Sequence, residues 1–424
     1  MLFLLGFGLT GGRAQEAIVA SGGDATGSGF NSLNRNTPGQ RNTGSGVWSL
    51  YYNTTGNDNT AKGYQALYNN TTGYSNVAIG VQALRANTDR SNLVAVGDSA
   101  LYRNGGDVTY SNQAIRNTAI GSKTLYSNTN GYRNTALGFQ ALYSNVTGAS
   151  NTAAGSSALL SNVDGNMNTA FGRGSLKYNT SGNSNTAHGE SALINNTTGH
   201  CNVAVGPMAL RGNRSGSYNT AIGFGAGPGY NDHGFTNTGA FGNHATVTQS
   251  NTIVIGNHDI TTIGGSVGWS NFSDGRFKTN ITPDVPGLEF ILKLQPVTFN
   301  WDLQALEEFQ GTADPSKGEA GQGPVDQSMK KARREKEQKT YTGFVAQQVE
   351  KAAEACGFDF SGIIRPANEK SIYNLTYAEF VVPLVKAVQE QHKQAEALKK
   401  QVEAQQKQIE EQQQMIEQLL EQIE

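Results

Sequence analysis

Ser273 and Lys278 stand five positions apart in the run Ser273-Asp274-Gly275-Arg276-Phe277-Lys278-Thr279-Asn280-Ile281. A hydroxyl and an amine are the smallest set that can run nucleophilic chemistry. The amine must first lose its proton, through burial or through a neighbouring cation such as Arg276. Spacing alone is weak evidence, since serine and lysine five apart recur by chance. An architectural reading also stands, in which Asp274 and Arg276 pair to stabilise a turn. The flanking chain has to decide between them. No other group of residues suggests chemistry. Cys201 and Cys356 lie in segments of different character without ligand spacing, and the six histidines are scattered, so neither a disulfide framework, a metal site nor a cofactor is expected. Asp and Glu are sparse in the first half of the chain, which disfavours a glycan hydrolase working through paired carboxylates.

The chain that positions this run has 424 residues, 52 of them glycine, with 37% hydrophobic residues and a net charge of -2. That is poor material for ordinary globular cores and points to an elongated, repetitive body. The charge balance offers nothing to nucleic acid or to an anionic membrane. Residues 1–14 open with the apolar run Met1 to Leu9, and Gly12 and Ala14 are the small residues at the −3 and −1 positions of a cut after Ala14. They are expected to be a signal peptide, although a basic n-region is missing and a buried first strand is the alternative. The product is then secreted or at the cell surface, with no membrane span. Residues 15–41 form an N-terminal segment.

From 42 to 223 the chain repeats a unit that reads N-T-A-x-G-x-x-A-L-x-x-N-x-x-G-x-x with a period of seventeen. Asn117, Asn134, Asn151, Asn168, Asn185, Asn202 and Asn219 keep the step, as do Gly121, Gly138, Gly155, Gly172, Gly189, Gly206 and Gly223. An insertion around Gly105 to Gln113 breaks the phase before Asn117 restores it. A unit this short cannot bury an apolar face alone, so stacked turns of a parallel β-solenoid are expected. Frequent Asn-Thr and Asn-Gly pairs favour turns over helices, with Asn placed at corners where the left-handed backbone is tolerated. Thr135 to Gly138 reads as a short strand and Ala141 to Tyr143 as a second apolar stretch. The strongest copies, such as Thr118-Ala119-Ile120-Gly121 and Val77-Ala78-Ile79-Gly80, resemble the N-S-x-A-I-G-x-x-A repeats of trimeric autotransporter adhesin heads. That resemblance implies parallel β-rolls around a threefold axis. Tyr52, Tyr68, Tyr102, Tyr126, Tyr143 and Tyr178 fall at corresponding places, either as packing or as a surface for a glycan or a surface protein. Residues 224–272, where the repeat degenerates and returns at Asn251 to Gly256, read as a neck.

The run at Ser273 resembles the S-D-x-R-x-K-x-N-I signature that opens the intramolecular chaperone, auto-processing domain of endosialidases and phage tail spikes. Val285 to Trp301, Tyr341 to Glu350 and Tyr373 to Glu390 resemble that family's later blocks, which gives a domain over 273–390. Gln348 replaces the usual Glu, and Asp302 to Thr340 is an insertion expected to be a mobile charged loop carrying the Lys330 to Arg334 cluster. The resemblance implies a chaperone that trimerises a β-rich fibre and then cuts itself off. Ser273 would be the nucleophile, Lys278 its base and Phe272-Ser273 the scissile bond. Asp274, Arg276 and Asn280 would be supporting residues, with Asn280 or a backbone N–H holding the oxyanion.

Residues 381–424 keep a seven-residue beat, with Val381, Val388, Ala395, Val402, Ile409, Ile416 and Ile423 at a, and Leu384, Gln391, Leu398, Gln405, Gln412 and Leu419 at d. That is a coiled coil. β-Branched residues at a with Leu at d lean to a dimer, so the trimeric state is expected from the resemblance and the glutamine layers and not from the heptad alone. The whole is expected to be a mainly β, homotrimeric parallel β-solenoid, then an α+β, largely helical chaperone domain and the coiled coil. Its activity would be a single-turnover serine autoprotease. The alternative is an adhesin with a permanent, uncut C-terminal trimer anchor.

Overall fold

The computed structural model describes residues 24–105, 110, 112–229, 234–310, 324–369 and 371–421. The expected signal peptide, the start of the N-terminal segment and Ile423 lie outside the described residues. The chain divides into two compact units, one ending at His258 and one beginning at Asp259.

The first unit is a parallel β-solenoid. Three-residue strands, from β1 (Thr26–Ser28) to β12 (Thr220–Ile222) and on through β14 (Gly239–Phe241) and β16 (Ile253–Ile255), stack into one fourteen-stranded sheet, while the short β13 (Gly227–Pro228) and β15 (Thr246–Val247) pair with each other. Register follows the sequence period, with Thr135 beside Thr152 and Ala136 beside Ala153. The insertion does not break the ladder, because Val94 pairs directly with Thr118 across it. In β1 to β12 only the middle residue of each strand is buried. Ala119, Ala136, Ala153 and Ala170 are buried while their neighbours face out. An alanine there lets successive turns close on a thin core that Leu125, Leu142, Leu159 and their equivalents fill from the other side.

The asparagines that recur at every step of seventeen do not sit at left-handed corners as expected, although single ones such as Asn92 (φ 60) do. The recurring ones line the interior in two columns, fully buried. In one column Asn162 Nδ2 donates to Asn145 Oδ1 one turn away (2.8 Å) and to Gly165 O in its own turn (3.0 Å). In the other, Asn151 Oδ1 accepts from the backbone N of Asn168 (2.9 Å), and Asn151 Nδ2 donates to Gly165 O (2.8 Å). A buried amide is costly only when unpaired, and an identical amide one turn away is a ready partner. The left-handed corners fall instead on residues such as Leu142 (φ 53), Gln140 (φ 56) and Ser150 (φ 58). The strain of roughly 1–2 kcal/mol at such a leucine is offset by the roughly 1.5–3 kcal/mol gained on burying its side chain. Gly155 has φ +144 and meets Gly172 so closely that a Cβ would lie 2.4 Å from its carbonyl oxygen. That column must be glycine.

The second unit packs α1 (Leu288–Lys293), α4 (Ala346–Glu354) and the start of α5 (Val381–Glu421) around Phe290, Val349, Ala352, Ala353, Phe360, Ile363 and Phe380. Two antiparallel pairs flank them: β17 (Val297–Phe299) with β18 (Tyr341–Gly343), and β19 (Ile363–Ile364) with β20 (Asn374–Leu375). The insertion is not a featureless loop in its described parts. It holds α2 (Leu303–Gln310) and α3 (Pro324–Gln338). Asp302 Oδ1 accepts from Ala305 N (2.9 Å) at the start of α2, and Lys331–Glu335 and Arg333–Glu337 are i,i+4 ion pairs along α3. No described helix is long and apolar enough to cross a membrane.

Candidate functional site

Ser273 and Lys278 lie on either side of a single 3-10 turn, Gly275–Phe277. Asp274 caps it, accepting from Arg276 N (2.9 Å), and the same carboxylate takes the Arg276 guanidinium through Nε (3.0 Å) and Nη2 (2.6 Å). The turn reverses the chain and brings Lys278 Nζ to 2.8 Å from Ser273 Oγ. The spacing of five is thus what one short turn closed by an Asp-Arg pair produces. Arg276 holds the Asp274 carboxyl below the usual range, by its side-chain bond first and its backbone N–H second. Asp274 in turn raises the Arg276 guanidinium. Arg276 is therefore committed to Asp274.

Asn280 follows in the left-handed region (φ 54). Phe272, just before the serine, is 109% exposed, and every residue from Ile260 to Asp284 is exposed. The amine and hydroxyl are together, but in a single chain neither is buried. Of the site residues expected from sequence, Asp274, Arg276 and Lys278 form or cap one local turn, and Phe272, Ser273 and Asn280 flank it.

The following elements anchor this segment. Gly287 lies flat against α5, where a Cβ would meet Glu390 Oε2 at 2.6 Å and Ala387 N at 2.8 Å. Glu390 accepts from Leu288 N (2.7 Å) at the N-terminus of α1, where a carboxylate is favoured. Sequence reasoning missed this role, although Glu390 closes the last of the blocks and was the signal to follow. Tyr377 Oη similarly accepts from Phe344 N (3.0 Å), and Glu350 binds both Arg365 and Tyr373 Oη (2.9 Å). Those bonds, Arg365 first, lower the Glu350 carboxyl.

Within α5, Pro383, Ala387 and Glu390 turn toward their own unit. Val381, Leu384 and Val388 of the heptad beat are 56%, 49% and 57% exposed, and Val402, Ile409, Ile416 and Leu419 remain uncovered too. The seam is thus not used to cover the domain that carries it.

On the solenoid, Tyr102, Tyr126 and Tyr143 stack face to face at 5.1 and 5.2 Å. Tyr51 stacks on Tyr68 (5.6 Å), and Arg85 lies between the Tyr68 and Tyr102 rings. Tyr52 and Tyr178 belong to the neighbouring column. The ring faces are filled by neighbouring turns, so the ladder serves packing and leaves little for a sugar to stack on. The strand face is different. Ile79, Ile120, Leu137, Phe171, Val205, Ile222 and Ile255 form an exposed apolar stripe in register along the sheet. Cys201 and Cys356 are free. Among the described residues no cluster of His, Cys, Asp and Glu could hold a metal ion.

Residues 273–358 match the family described as the chaperone of endosialidase. The match begins at Ser273 and covers the turn, α1, the insertion and α4. No curated protein matches the chain.

Proposed function

We propose that this chain is an exported, homotrimeric surface fibre whose C-terminal unit assembles three copies and then cuts itself off at Phe272-Ser273. The observation that carries the reading is the 2.8 Å contact of Lys278 Nζ with Ser273 Oγ at the first residue of the family match. In the reaction, Ser273 Oγ attacks the Phe272 carbonyl carbon and Lys278 takes the hydroxyl proton. The Phe272–Ser273 C–N bond breaks as Lys278 passes that proton to the Ser273 nitrogen, which leaves as an amine, and Phe272 is held as an ester on Oγ. Water then hydrolyses the ester, leaving a carboxylate at Phe272 and a new N-terminus at Ser273.

Trimerisation is supported by two apolar surfaces that a single copy leaves bare: the seam of α5 and the strand-face stripe of the solenoid. Parallel pairing of distant turns is slow, so a seam that gathers three chains early keeps them in register while the body winds. Removing the chaperone afterwards makes the fibre's stability kinetic, because the trimer cannot retrace its assembly. The body would then display a surface toward a glycan or surface protein.

The exposure of Ser273 and Lys278 favours a second reading, an adhesin whose C-terminal unit is a permanent, uncut anchor. The two separate on a denaturing gel. Wild type should give two fragments, while Ser273→Ala and Lys278→Ala should each give one chain of full mass. Wild type that stays whole after assembly would establish the second reading.

A further inference from the structure

The boundary between the compact units and the candidate scissile bond do not coincide. The C-terminal unit begins at Asp259, fourteen residues before Ser273, so residues 259–272 would leave with the body after a cut although they belong spatially to the chaperone unit. Between Ile260 and Asp284 the chain is exposed throughout, with Trp269 at 89%. At its upstream end it is held. Lys336 Nζ on α3 donates to Ile260 O at 3.1 Å. The Asp259 carboxylate, with Oδ1 buried, supports the charges of both Arg333 and Lys336. Arg333 is fixed by Glu307 on α2 (2.9 Å) and by Glu337 on α3 (3.3 Å), and its side chain is only 23% exposed. Burial lowers the Lys336 ammonium while Asp259 opposes the shift, as expected of a cation partly withdrawn from water beside a carboxylate.

We propose that α2 and α3 form a clamp on residues 259–260 that keeps the C-terminal piece bound to the body after the Phe272-Ser273 bond is cut. The inference rests on the self-cleaving reading for its place in the life of the protein. Its geometry does not depend on the cut. The partner is the chain's own upstream segment, recognised through one backbone carbonyl and one carboxylate. In a trimer three such clamps act together, so each can be weak and the set still retain the piece. The insertion thus sets when the chaperone departs, as a step separate from the chemistry.

The test uses the full chain in two preparations. One is left to cut itself, and the other is nicked by brief chymotrypsin treatment at the exposed Trp269 and Phe272. Both are run on denaturing gels and on native size exclusion. Wild type should show two pieces when denatured and one native peak, in either preparation. Lys336→Met combined with Arg333→Ala should lower the co-eluting fraction about tenfold, and Lys336→Arg, which keeps a donor, should restore it. Helix content by circular dichroism checks that the variants fold. Wild-type pieces that part on native size exclusion, or clamp variants that co-elute as wild type does, overturn the proposal. Failure of self-cleavage appears separately, as an intact chain in the untreated preparation, while the nicked preparation still reads the clamp.

Discussion

Replacing Asn162 by alanine tests the account of the solenoid core. The side chain is fully buried and takes part in three bonds. It donates to Asn145 Oδ1 and Gly165 O, and its own Oδ1 accepts from Asn179 Nδ2 (2.8 Å). Gly165 O keeps a donor in Asn151, and Asn179 keeps Gly182 O (3.0 Å). Asn145 Oδ1 and one N–H of Asn179 lose their partners without gaining water. Each such group costs about 1–3 kcal/mol, so the local loss should be at least about 3 kcal/mol once the small cavity is added. A factor of ten is about 1.4 kcal/mol, so amide exchange in the affected turns should accelerate about a hundredfold. In a quasi-one-dimensional stack the effect stays near its source. Hydrogen exchange read by mass spectrometry should therefore show faster exchange from Asn145 to Asn179 and none around Asn53 and Asn70. Thr147→Ala, exposed one turn earlier, should change stability by less than about 0.5 kcal/mol. An Asn162→Ala protein whose exchange stays within about threefold of wild type would refute the ladder as a source of stability.

Other consequences follow from single positions. Gly155→Ala drives a Cβ to 2.4 Å from the Gly172 carbonyl oxygen and should cost more than about 3 kcal/mol in urea unfolding. Gly174→Ala, with its nearest atoms at 3.8 Å, should cost only the left-handed strain of about 1–2 kcal/mol. Ile409→Asp with Ile416→Asp places charges in the seam of α5 and should turn a sedimenting trimer into monomer or aggregate. The Glu350 carboxyl is lowered in the folded state, so its stabilising share is present above the usual glutamate range and is lost as pH falls through the lowered value. Urea unfolding of the C-terminal unit, followed by tryptophan fluorescence, should therefore weaken toward acid, and Glu350→Gln should flatten that limb.

Much of the solenoid was legible because identical residues recur at identical steps. Period, strand placement, the glycine column and the survival of register across the insertion could all be read from Asn, Ala and Gly positions. The role of the asparagines could not be read from turn statistics, which describe Asn in isolated turns and not Asn facing its own copy one turn away. The clue was that Asn145 and Gly148 keep their own spacing while Asn145, Asn162 and Asn179 keep the period.

At the candidate site, Ser273, Lys278, Asp274 and Arg276 were legible by type, and the turn explains their spacing. Their exposure was not legible, since burial depends on what packs over the segment. The helices of the insertion were hidden by a charged composition that reads as loop, although the Asp302 cap and the i,i+4 pairs of α3 were present in the residues. The clamp on Asp259 and Ile260 joins positions more than seventy residues apart, and no local pattern announces it.

Intact mass of the purified, assembled wild-type protein reads self-cleavage at the Phe272-Ser273 bond without an intermediate assay. Two species are expected under denaturing conditions, one of which begins at Ser273, and a single uncut species is expected for Ser273→Ala. Wild type that remains whole for days as an assembled trimer, or Ser273→Ala that is still cut at the Phe272-Ser273 bond, would contradict it.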